Sequence, residues 1–138
     1  MGGLILDSSV PIKAERKGTA PADLLEDIYT LTGMYDVGLT AIGVAELIHG
    51  IYRAESTARA SARRAFLDAL IVDLPVFEYT LDIARLVGRI DGEETMRGNI
   101  IPFVDLLIGG TALYHGFSVL TVNLRHFRMI PNLNVILF

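Results

Sequence analysis

The sequence predicts an α/β fold, on the strength of three observations. Short apolar runs such as "LILD", "DVGLT" and "SVLTVN" alternate with longer stretches whose apolar residues recur at helical spacing. Glycine and proline mark several of the junctions, as at Gly18, Pro21, Gly33 and Gly116. The 138 residues are 51% hydrophobic and hold no repeat, low-complexity tract or long linker, which suits a single domain spanning 1–138 around one core. Strands separated by helices pair in parallel, because parallel neighbours need a crossover, and such a sheet is covered on both faces.

The elements follow in order. "LILD" is a first strand ending on Asp7, and "SVPIKAERKG" a helix closed by Gly18. "PADLLEDIYTLTG" has amphipathic spacing, with Pro21 in its first turn and Gly33 after its last. "DVGLT" reads as a weaker second strand, then "AIGVAELIHGIYRA" and "STARASARRAFLDAL" as two helices, the latter capped by Ser56 or Thr57. "IVDLPVF" suggests a third strand. "TLDIARLVGRIDGEETM" and "PFVDLLIGGTALYHG" are further helices, and "SVLTVN" and "NVILF" close the chain as strands.

Charge and composition narrow the function. Sixteen acidic against 12 basic residues give a net charge of -4, which argues against nucleic-acid binding by bulk attraction but leaves room for a local site charged by bound cations. The absence of cysteine excludes disulfides and thiolate chemistry and fits a cytoplasmic protein. No basic segment leads into a long apolar stretch, so no signal peptide is read. From Leu106 to Leu124 no Asp, Glu, Lys or Arg occurs, yet Gly116 breaks the run, which therefore reads as a buried helix and a buried strand rather than a membrane span.

Several residues point to chemistry. Asp7 ends a strand, and in open α/β sheets ligands bind beyond the carboxyl ends of strands; capping the next helix would also explain it. Glu46 stands on an otherwise apolar helix beside Ile42, Gly43 and Gly50, where a carboxylate needs a partner, either an arginine or a metal. Asp105 falls just after Pro102, in a first helical turn whose dipole favours negative charge. The pair Gly109 and Gly110 costs helix stability and implies that something packs closely there. Thr121 and Asn123 end another strand and aim at the same rim as Asp7, although Asn123 suits a turn equally well.

Read together, "LILDSS", "VAELIHG", "PFVDLLIGGTALYHG" and "VLTVNLRHFRMIPNLNV" resemble a PIN-domain ribonuclease of the VapC toxin type over nearly the whole chain. Gly109 and Gly110 stand where the family has two alanines, and Asn132 where it has a glycine. The resemblance implies a three-layer α/β/α sandwich with a central parallel sheet of four to five strands. It implies an acidic triad of Asp7, Glu46 and Asp105 binding Mg²⁺ or Mn²⁺, with Asn123 in the fourth position. These are hard cations that suit oxygen donors. Ser8, Ser9 and Thr121 would orient the carboxylates or waters; helix capping and strand-end bonding are their alternative roles.

The function implied is a metal-dependent endoribonuclease, the toxin of a type II toxin–antitoxin pair, restrained by a VapB-like antitoxin. A noncatalytic PIN module binding RNA or protein is the alternative that Asn123 permits. A phosphotransfer domain is disfavoured because Ser9 stands where a haloacid-dehalogenase-type enzyme needs a second acid. His49, His115 and His126 lie on separate elements without ligand spacing and are given no role. Lys13, Arg16, Lys17, Arg53, Arg59, Arg63 and Arg64 suit either RNA phosphates or solvated helix faces. A homodimer is expected, with Phe66 and Leu70 as exposed apolar positions for its interface.

Overall fold

The computed structural model describes residues 2–34 and 36–138. Five strands, β1 (Leu4–Leu6), β2 (Val37–Thr40), β3 (Val76–Phe77), β4 (Ser118–Thr121) and β5 (Val135–Leu137), form one parallel sheet in the order β3-β2-β1-β4-β5. Helices α1 (Ser9–Arg16) and α2 (Pro21–Thr32) connect β1 to β2. Helices α3 (Ala41–Tyr52) and α4 (Thr57–Asp73) lead to β3, α5 (Leu81–Met96) and α6 (Phe103–His115) to β4, and the short α7 (Leu124–Phe127) precedes β5.

The two-residue period of a strand decides the layering. Leu4 and Leu6 point into a core shared with Leu24, Ile28 and Leu70, whereas Ile5 points into the opposite core with Val87, Leu106 and Ile108. Both faces are dry, giving three layers, α/β/α. The chain runs outward from β1 to β3 and then returns to place β4 on the other side of β1. The crossovers therefore diverge between β1 and β4, and a crevice opens beyond the carboxyl ends of those two strands. Leu6 pairs with Leu120, so the next residues outward are Asp7 and Thr121.

Two expectations are corrected. Ile71, Val72 and Asp73 belong to α4 and not to a strand, and β3 is only Val76–Phe77. The buried stripe Leu67, Leu70, Leu74 keeps helical spacing to the end of α4, while Val72 is 84% exposed; the β preference of Ile and Val yields to that packing. Leu70 is consequently a core residue at 0% exposure and Phe66 is partly buried against it, so neither offers a free apolar face. The short helix α7 was not anticipated. Ser56 caps α4 as expected, accepting from the Arg59 amide, and Gly116 ends α6 at φ 71°. No helix among the described residues is long and apolar enough to cross a membrane.

Candidate metal centre at the strand ends

Asp7 is 5% exposed and accepts three hydrogen bonds, all on Oδ2: from Ser9 Oγ at 2.6 Å, from Thr121 Oγ1 at 3.0 Å and from the Ser9 amide at 3.4 Å. Each hydroxyl owns one proton and gives it to the same oxygen, so the 3.3 Å approach of Ser9 Oγ to Thr121 Oγ1 is a contact without a proton of its own. Those hydroxyls also accept from the Val122 amide at 3.2 Å and the Asn123 amide at 2.9 Å, which ties the chain beyond β4 to Asp7.

Glu46 lies on the α3 face turned toward this rim. Ser8 stands at the N-cap of α1 but makes no side-chain cap; its hydroxyl donates to Glu46 Oε1 at 3.0 Å instead. Asp105 is in the first turn of α6, as Pro102 at the N-cap foretold, and its Oδ2 meets His126 Nδ1 at 2.8 Å. A carboxylate only accepts, so Nδ1 carries the proton.

A common pattern emerges. Each of the three carboxylates is held through one oxygen by neutral or weakly basic side chains, and its other oxygen makes no hydrogen bond among the described residues. No buried side-chain oxygen among the described residues lacks a partner, so these second oxygens reach solvent. Burial is the largest cause raising the Glu46 pKa; the Ser8 bond opposes it, and the charges of Asp7 and Asp105 add to it. Asp105 is raised in the same way, by burial first, against the His126 bond, and with the charge of Asp7 adding. The acids are near enough to feel one another's charge, and among the described residues no lysine or arginine pairs with them.

Among the described residues no three His, Cys, Asp or Glu side chains form a ready-made metal cage. That is compatible with Mg²⁺ or Mn²⁺, which keep several waters and take only one or two carboxylates plus substrate oxygens. The donor set fits: hard oxygens, one free on each acid, and negative charge in excess.

Ser8, Ser9 and Thr121 thus contact the acids they were expected to orient. Asn123 sits at the N-cap of α7 with an exposed side chain that makes no cap bond and, among the described residues, hydrogen-bonds to no acid. His126 is the residue that the sequence missed. Nothing in its spacing marks it; the hint was Gly109 and Gly110, where an added Cβ would collide with Ile130 and Val87 respectively. His115 packs against Phe77, with ring centroids 4.6 Å apart, and His49 lines a neighbouring cavity.

That cavity, of about 1020 Å³, lies between α1, α3 and α4 and opens onto Ser8 and Glu46. Its floor is apolar, including Phe66, Leu67 and Leu107, and its rim carries arginines. Arg59 and Arg63 are committed to Glu15, at 2.7 and 3.7 Å. Lys13 reaches the Phe138 carbonyl at 3.4 Å, and Arg64 lies over the Tyr52 ring. Arg16 and Arg53 line the cavity without a partner among the described residues.

The sequence profile of the PIN domain matches residues 4–132. Ribonuclease VapC19 of Mycobacterium tuberculosis is 30% identical over 129 residues, 94% of this chain and 95% of the relative. The tRNA(fMet)-specific endonuclease VapC of Salmonella typhimurium is 31% identical over 97 residues, 70% of this chain and 71% of the relative. Among solved structures, VapBC2 from Rickettsia felis bound to a DNA fragment from its promoter superposes with a TM-score of 0.81 at 22% identity, covering 98% of both chains. DNA-bound VapBC from Salmonella typhimurium gives 0.81 at 25% identity, covering 99% of this chain and 98% of that one.

Proposed function

The chain belongs to the PIN-domain family, among the VapC ribonucleases, and from that premise we propose that the rim of Asp7, Glu46 and Asp105 is a divalent-cation centre at which this endoribonuclease toxin hydrolyses RNA phosphodiester bonds. The observation that carries the reading is the charge imbalance. Three partly dehydrated carboxylates confront each other without a lysine or arginine, and such a crevice repels a phosphate unless positive charge is supplied.

When bound, Mg²⁺ or Mn²⁺ supplies that charge, polarising phosphate oxygens and acidifying a water. Asp7, Glu46 and Asp105 would hold it through the oxygens left open, one or two of them directly and the rest through its waters. Two O–H donors, Ser9 and Thr121, fix the orientation of Asp7, and Ser8 does the same for Glu46. Asn123, at the strand end, would offer an amide oxygen or hold a water. Arg16 and Arg53 suit the RNA backbone on its way to Glu46.

The partner is a VapB-like antitoxin. Its docking place is the cavity beside Glu46, where an apolar floor and arginine rim fit a segment with apolar anchors and acidic residues, and where occupancy would block the RNA path. Self-association would use α3 and α6, which pack together and expose Ile48, Tyr52, Phe103 and Val104.

Purified protein should cleave RNA with Mn²⁺ and stop when EDTA is added. Cleavage that persists in EDTA removes the metal from the reading; no cleavage under any divalent ion favours a noncatalytic RNA- or protein-binding module.

A further inference from the structure

Helix α7 joins the two halves of the acid rim. Its approach is tied to the Asp7 side, since the Val122 and Asn123 amides donate to Ser9 Oγ and Thr121 Oγ1, the two hydroxyls that hold Asp7. On its other side, Phe127 and the following Ile130 are buried at 1% and 2% exposure against α6. They close on Gly109: a Cβ there would collide with Ile130 Cδ1 and lie 3.1 Å from Leu133 and 3.5 Å from Phe127. Gly109 is four residues after Asp105, one turn along the same face of α6. The docking that needs a glycine at 109 therefore delivers His126, next to Phe127, onto Asp105 Oδ2 at 2.8 Å.

We propose that α7 is a brace setting Asp105 relative to Asp7, in which Gly109 admits the helix and His126 pins Asp105 by Oδ2, so that both are positioning residues for divalent-cation binding. The inference rests on the reading that Asp105 is a cation ligand. Holding Oδ2 directs the open Oδ1 and restricts the carboxylate's rotation, so less order is lost when a cation is bound. The side chain of His126 is 39% exposed, so its removal leaves the fold intact, whereas Gly109 acts from a distance through packing.

Mn²⁺ titration calorimetry on the full chain tests this. His126→Ala should weaken binding about tenfold, the low end for a residue that orients a ligand. His126→Asn should restore most of the loss, because its amide N–H falls near the place of Nδ1, and His126→Gln, whose amide reaches farther, should not. Gly109→Ala should weaken binding although it touches no acid, and in its metal-free nitrogen NMR spectrum the hydrogen-bonded Nδ1 signal of His126 should be lost. Wild-type affinity in His126→Ala overturns the brace, as does a wild-type spectrum without a hydrogen-bonded Nδ1. Asp105→Asn separates the two levels: if it binds Mn²⁺ as the wild type does, the ligand reading fails and takes the brace with it; if it loses binding while His126→Ala does not, the brace alone fails.

Discussion

Glu94 and the acids of the rim are carboxylates in one small protein with opposite surroundings. Glu94, 6% exposed in the last turn of α5, has both oxygens engaged from within the chain, Oε2 by Arg97 and Oε1 by Asn99 Nδ2 at 3.0 Å. Its pKa is lowered, first by the Asn99 amide and then by Arg97, against the cost of burial. Glu46 and Asp105 are raised, with one oxygen each left open and further acids for neighbours. A carboxylate that exists to hold a fold together is answered by the fold; the rim acids are left for something that the chain does not provide.

The comparison breaks most visibly in activity. Asp7→Asn or Asp105→Asn should cut RNA cleavage by more than about a hundredfold, the rate equivalent of a few kcal/mol of charge stabilisation, with the circular dichroism spectrum unchanged. Glu94→Gln should do the reverse, lowering the thermal midpoint while kcat stays at the wild-type value. A loss of cleavage in Glu94→Gln with its fold intact would contradict the division.

How far the sequence foretold this contrast varies by residue. Of the three acids only Glu46 stands where its element offers no local need for one; capping would explain Asp7 and the dipole of a first turn, placed by Pro102, would explain Asp105, so the three were legible as a set only through the family resemblance. Gly109 and Gly110 announced close packing but not what packs. His126 was invisible, since its partner is 21 residues away and only the seating of α7 brings them together. Leu70 and the end of α4 were misread for the same kind of reason: the residues Ile71 and Val72 favour a strand, and only the sheet beneath Leu67, Leu70 and Leu74 decides for the helix.

The pH dependence of the metal-free protein should sharpen the contrast with a smaller effect. For Glu46 and Asp105 the folded pKa lies above the unfolded value of about 4, so their contribution to stability is full below that value and falls as pH rises through the raised ones. For Glu94 the folded pKa is lower than the unfolded one; its contribution is full above the unfolded value and falls as pH drops through the lowered one. Thermal midpoints across pH should therefore decline less as pH rises in Glu46→Gln, where Asp105 keeps its share, and should lose the low-pH decline in Glu94→Gln. Identical profiles in the two variants would erase the distinction.

The smallest expected effect is at Asn123. Asn123→Asp adds a fourth charge at the strand end, so it should tighten Mn²⁺ binding by several-fold and lower the midpoint of the metal-free protein. If calorimetry and midpoint both stay at wild-type values, Asn123 is a turn residue and the site rests on three acids.

The central claim, that the rim acids are kept apart from the chain's own cations in order to hold a foreign one, is tested most directly by thermal midpoints of the wild type and Glu46→Gln, each measured in EDTA and in saturating Mn²⁺ at neutral pH. A crossing is expected: Glu46→Gln is the more stable protein in EDTA, because a dehydrated and repelled charge is gone, and the less stable in Mn²⁺, because a ligand is gone. A variant that is less stable than the wild type by the same amount in both media would contradict the account, since Glu46 would then serve the fold as Glu94 does.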